Sequence, residues 1–167
     1  MNAHPPHTAR SAPQGGFTLV ELLIVVIILG ILAAVVVPQF NDTTLKSKEA
    51  TLTQNLSTIR QAVSLYRVQH LETYPGENAG TWAEFVTQLT TATHADGTAG
   101  GVYGPYLRTS FPPNTMNNLN TGTIVAAAPD GADSNGATGY FYNPALGAIY
   151  ANVADEAAPS GTAWIDL

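Results

Sequence analysis

Cysteine is absent from the 167 residues. That one absence removes disulfides, thiolate metal sites and cysteine nucleophiles together, though it fixes no compartment. Charge is also scarce. Charged residues make up 11% of the chain, where about 25% is usual for soluble domains. Only six Lys and Arg stand against twelve Asp and Glu, for a formal net charge of −6. So weak a basic complement excludes an electrostatic nucleic-acid footprint, and no nucleic-acid partner is expected. Catalytic spacings are missing too. There is no GxSxG, no phosphate-binding P-loop and no HExxH. His70 and His94 stand alone, and His4 and His7 precede the region that carries the fold. No enzyme and no cofactor are expected. The 15 Gly and 11 Pro predict many turns.

Hydrophobicity is concentrated in one place. From Phe17 to Val37 the chain reads FTLVELLIVVIILGILAAVVV, with Glu21 the sole charge. As a helix at about 1.5 Å per residue this segment spans roughly 31 Å, close to the hydrocarbon core of a bilayer. It is apolar on every face, which a small soluble core does not need. It is also longer than the roughly 7–15 apolar residues of a secretory signal. The only small-residue cut site near it, Gly15-Gly16, lies before the apolar run, so the run would be retained after cutting.

Gly16-Phe17-Thr18-Leu19-Val20-Glu21, the unbroken apolar run and Pro38 closely resemble the type IV pilin and type II secretion pseudopilin family. The resemblance covers roughly residues 15–40. It implies cleavage between Gly16 and Phe17 by a prepilin peptidase that then N-methylates Phe17, and it makes Glu21 the fifth mature residue. A glycine before the cut lets the backbone lie extended against a protease. An acid inside an apolar span costs about 2.5–3.5 kcal/mol at the span centre and marks function. The Phe17 amine freed by cleavage would lie four residues before Glu21, on the same helix face and at the positive end of the helix dipole. Glu21 can therefore neutralise its own N-terminus or that of a neighbour. The resemblance implies the neighbour, during assembly into a filament. Pro38 lacks an N–H and is expected to kink the helix, because helical periodicity resumes beyond it.

Over 45–68, Leu45, Leu52, Leu56, Ile59, Val63 and Tyr66 recur at helical steps, predicting an amphipathic continuation to about residue 70. Glu72-Thr73-Tyr74-Pro75-Gly76 ends it. Thr81 to Glu84 reads as a capping box opening a short helix over 82–91, with Trp82, Phe85 and Leu89 facing the stem. Thr123–Ala128 is strand-like. Gly139–Asn143 and Ala148–Val153 flank the four-residue loop Pro144-Ala145-Leu146-Gly147 and predict a hairpin. The tail, with Trp164 and Ile165, wraps back or frays. Asp130 and Asp133 sit in a Gly-rich loop that suggests calcium, but the loop fails the EF-hand spacing, and a solvated Asx-rich turn is the expectation.

The expected fold class is α+β and pilin-like: a long N-terminal helix with a small antiparallel sheet packed on its second half. The expected organisation is a leader over 1–16, a transmembrane and filament-core helix over 17–37, its amphipathic continuation over 38–72, and a small αβ domain over 73–167. The resemblance implies a subunit of a type II secretion pseudopilus for protein export. Its site would be single-pass in the bacterial inner membrane with the C-terminal domain periplasmic, and then in the filament. Implied partners are the prepilin peptidase and N-methyltransferase, further copies and related pseudopilins, an inner-membrane assembly platform, and the membrane. The missing cysteines disfavour type IVa pilins, which usually close a C-terminal loop with a disulfide. Two other readings stay open: a type IV pilus subunit serving adhesion, motility or DNA uptake, and a membrane-anchored binding module that never polymerises.

Overall fold

A computed structural model describes residues 16–78, 80–108, 110–154 and 162–167, with side chains 37–42 outside the description. Its longest element, α1, runs Leu19–Gln69. The chain divides into two compact units, one ending at Phe40 and the other beginning at Asn41.

The first unit holds the apolar start of α1. Leu19–Val36 has a mean hydropathy of 3.2, and none of it is buried inside the protein. It is long and apolar enough to cross a membrane. The helix forms because Leu and Ala are good helix formers, and because β-branched Ile and Val are tolerated where nothing crowds the outward side chains.

The second unit is built on the rest of α1. Leu52, Leu56, Ile59, Val63 and Tyr66 are all buried, as the helical spacing requires. Leu45 departs from the expectation. It is 39% exposed, because the covering domain does not reach that far down the helix. The helix ends at Gln69. Leu71 and Glu72 then turn into the left-handed region, at φ 56° and 66°, and the Glu72 N–H reaches back to the Arg67 carbonyl at 3.1 Å. This is a helix stop made without glycine.

Helix α2 spans Trp82–Thr90. Thr81 caps it by accepting from the Glu84 N–H at 3.3 Å. Glu84 does not complete the reciprocal half of the expected capping box. Its carboxylate accepts from Gln88 Nε2 instead, at 2.9 Å. Three short strands follow: β1 (Gly122–Ile124), β2 (Tyr140–Asn143) and β3 (Ala148–Ala151), in the order β1-β2-β3. β2 and β3 form the predicted antiparallel hairpin, with Tyr140 opposite Ala151 and Asn143 opposite Ala148. The sheet is not wholly antiparallel, however. β1 pairs with β2 in parallel, Gly122 opposite Tyr140. Residues 125–139 are a long enough connection to carry the chain back to the same end of the sheet, which two parallel neighbours require. The fold is therefore α+β with a small mixed sheet, and the wholly antiparallel sheet is corrected.

The core lies between α1, α2 and the sheet. Phe85 stacks on Tyr142 at a centroid distance of 3.9 Å, and Phe111 meets Trp82 and Tyr140 edge-on. The tail does wrap back: Trp164 and Ile165, in a 3₁₀ turn, are buried. Arg60 holds the closure, donating from Nη1 to the Leu167 carbonyl at 2.7 Å and from Nη2 to the Ile149 carbonyl at 3.1 Å. Its partial burial draws the guanidinium pKa down from its ordinary value.

At the top of the stem His70 is buried and lies flat on Tyr66, with ring centroids 3.6 Å apart. Its Nδ1 is 2.8 Å from the Tyr66 carbonyl and its Nε2 2.8 Å from Thr93 Oγ1. A carbonyl only accepts, so Nδ1 carries the proton toward it. At the other end of the domain, buried asparagines replace a sheet ladder. Asn152 Oδ1 accepts from the Asn135 and Gly136 N–H groups, and Asn114 Nδ2 donates to the Gly139 carbonyl at 2.7 Å. They satisfy irregular backbone that would otherwise be buried without partners.

Candidate functional site

The site singled out by sequence lies at the start of α1. Gly16, Phe17 and Thr18 are not helical, and α1 begins at Leu19. Gly16 has open space where a Cβ would stand. Phe17 is 81% exposed. The Gly16–Phe17 bond is thus outside the helix, and both residues are exposed.

Glu21 sits in the first turn of α1 and is engaged locally. Its Oε2 accepts from the Thr18 N–H and from Thr18 Oγ1, both at 2.9 Å. The Glu21 N–H donates back to Thr18 Oγ1 at 3.2 Å. This is a reciprocal capping box, and it satisfies donors that every helix start leaves without partners. Thr18 is therefore the residue that holds Glu21, and the sequence reading missed it. The signal was present, because Thr-x-x-Glu before an apolar run is the capping-box pattern. The box uses Oε2, and Oε1 stands outside it. The first turn is also where the helix dipole favours a negative charge.

The other sequence-predicted positions are not brought to this site. The helix continues through position 38, whose side chain is outside the description. Gly15 and the leader before it are outside the described residues. Asp130 and Asp133 lie far along the chain in a turn they hold themselves. Asp130 Oδ1 accepts from the Ala132 N–H at 2.9 Å, and Asp133 Oδ2 accepts from the Asp130 N–H at 3.1 Å. Among the described residues, no group of three or more His, Cys, Asp or Glu converges as a metal site would require.

The arrangement at the start of α1 is an exposed, non-helical Gly16–Phe17 bond, a cap and an acid in the first turn of an apolar helix. The prokaryotic N-terminal methylation motif matches the chain over residues 11–37. Over its N-terminal part the chain is similar to proteins of the pilin and pseudopilin family. Among proteins of that family, the type II secretion system core protein G of Pseudomonas aeruginosa is 39% identical over 67 residues, 40% of this chain and 46% of that protein. A type IV narrow pilus major component of Thermus thermophilus is 43% identical over 54 residues, 32% of this chain and 47% of that protein. A fimbrial protein of Neisseria meningitidis serogroup B is 42% identical over 65 residues, 39% of this chain and 38% of that protein. The matches thus span about half the length of these relatives or less. No solved structure matches the chain.

Proposed function

We propose that this chain is a structural subunit of a type II secretion pseudopilus. In this reading it is made as a single-pass precursor in the bacterial inner membrane with the C-terminal domain periplasmic. A prepilin peptidase cuts between Gly16 and Phe17 and methylates the Phe17 amine. An inner-membrane assembly platform then moves the helix from lipid into a filament of further copies and related pseudopilins, which drives protein export. The observation that supports it best is the pairing of an uncovered, non-helical Gly16–Phe17 bond with a carboxylate held at the first turn of an apolar helix. No step is catalytic for this chain.

The chemistry of assembly follows from Glu21. An unpaired carboxylate in a low-dielectric span is costly. The Thr18 box lowers that cost by giving Oε2 two donors while the subunit is in the membrane. The free amine of Phe17 on an incoming subunit offers a full positive charge to Oε1. Desolvated charge pairs of this kind fix register strongly. Pro38 removes the N–H that would bond the carbonyl four residues before it, and so supplies a place for the helix to kink or loosen as it is extracted.

The likeness to pilus proteins supports a second reading, a type IV pilus subunit. Intact mass spectrometry of the protein from its native envelope tests the processing common to both. A chain beginning at N-methyl-Phe17 is expected, and one that retains Met1 would overturn both. Deleting the gene separates the two: loss of exported proteins from the medium supports the pseudopilus, and loss of long surface fibres supports the pilus. Glu21→Ala is expected to cut filament yield at least tenfold. A variant indistinguishable from wild type would leave a membrane-anchored module that does not polymerise.

A further inference from the structure

The second unit separates its charges by element. On α1 from residue 41 to residue 70 there are four cations, Lys46, Lys48, Arg60 and Arg67, and two acids, Asp42 and Glu49. From residue 71 onward there are nine acids and one cation, Arg108. The outward face of α1 is uncovered. Thr51, Gln54, Thr58, Gln61, Leu65 and Val68, spaced at four and three residues, are all exposed. None of them is charged, although an exposed helix face in water normally carries charge. Depletion of charge is a property of the centres of protein interfaces.

The cations are not equivalent. Arg67 pairs with Glu72 at 2.6 Å, and Arg60 is turned inward onto two carbonyls. Lys46 and Lys48 are exposed and enter no ion pair among the described residues. The acids differ as well. Glu72 has Arg67, Glu77 accepts from the Tyr74 N–H at 2.9 Å, and Glu84 holds Gln88. Asp130 and Asp133 are two exposed carboxylates in one turn, fixed in place by that turn's own hydrogen bonds, with no cation paired to them among the described residues.

We infer that the exposed turns of α1 that carry Lys46 and Lys48, ahead of its covered stretch, dock against the Asp130–Asp133 turn of a second copy of this chain. The argument is charge complementarity between two surfaces that do not pair among the described residues of one chain. Two different complementary patches make a heterologous contact, and such contacts repeat into open assemblies rather than closed dimers. The lysines and aspartates set register and encounter rate. This inference rests on the filament reading above and adds which faces meet.

The test uses the full chain in its native envelope. The cysteine-free background makes it clean, since any introduced cysteine is unique. Lys48→Cys and Asp133→Cys, expressed as separate subunits in one cell, are expected to give a heterodimeric disulfide under oxidation, at least tenfold above either variant alone. Lys46→Glu with Lys48→Glu is expected to lower filament yield at least tenfold without changing the mature N-terminus, and Asp130→Lys with Asp133→Lys in the same chain is expected to restore it. Assembly of the wild type should also weaken as salt rises. Filaments of the two cysteine variants at wild-type yield with no cross-link, or charge reversal without effect on filament yield, would overturn the docking and leave the filament reading intact. Charge reversal that only weakens retention on anionic membranes, with filament yield unchanged, would overturn it as well. A wild-type chain that is processed but never assembles would overturn the filament reading and the docking together.

Discussion

The two ends of α1 are made of similar helix and answer to different surroundings. Over Leu19–Val36 every large apolar side chain is exposed. Over Leu52–Tyr66 the apolar residues form one stripe, and that stripe is sealed by α2, the sheet and the tail. The first half therefore needs a lipid or a neighbour, and the second half carries its own cover. A helix apolar on all faces is read by its environment, whereas an amphipathic one is read by its own chain.

The sharpest way to break this contrast is to remove a core side chain from the covered half alone. Phe85 is fully buried and stacked on Tyr142. Phe85→Ala should cost about 3–5 kcal/mol of domain stability, while insertion of the apolar half is unchanged. Urea unfolding of the full chain in detergent, followed by near-ultraviolet circular dichroism, measures the first, and membrane fractionation the second. Alkali offers a second way. All seven tyrosines lie beyond Asn41. Burial, reinforced by Tyr106 and by the Glu84 and Asp96 charges, pushes the Tyr66 hydroxyl from 10 to about 12, and burial also raises Tyr140 and Tyr142. A tyrosine whose folded pKa is raised stabilises fully below its unfolded value. That stability is expected to be lost as pH climbs from about 10 through about 12. Tyrosinate absorbance and loss of tertiary signal should rise together, with the helix of the apolar half unaffected.

Smaller effects sharpen the boundary. Gly147 sits in the hairpin loop at φ 63°, and a Cβ there would collide with the Tyr74 ring. Gly147→Ala should cost about 1–3 kcal/mol, read as a lowered urea midpoint. Thr18→Ala removes the cap of the uncovered half. Its expected cost is about 1 kcal/mol, visible as fraying of the first turn in amide exchange and not in the domain's unfolding.

What the sequence made legible follows the same division. The apolar start of α1 depends on neighbours within four positions, so local reading reached its helix. The stem stripe, α2 and the β2–β3 hairpin were legible for the same reason. The parallel placement of β1, the Arg60 clamp on Leu167 and Ile149, and the pinning of His70 by Thr93 join residues far apart in sequence. No periodicity announces such pairs. Leu45 had the right spacing and still faces solvent, because periodicity tells where a stripe points but not how far its cover extends. Thr18 was legible too, as the first residue of a Thr-x-x-Glu capping pattern.

The cover on the second half of α1 has a mechanical consequence. Its grip begins at the Thr115 bond to the Lys48 carbonyl, runs through Leu52, Leu56, Ile59 and Val63, and ends at His70 wedged between Tyr66 and Thr93. These anchor points are loaded in parallel along about six turns of rod, or roughly 33 Å at 1.5 Å per residue. A shearing force on the domain would have to break them nearly together rather than peel them one at a time. Stem and domain are therefore joined like a spliced beam, and a push delivered to one arrives at the other with little slip.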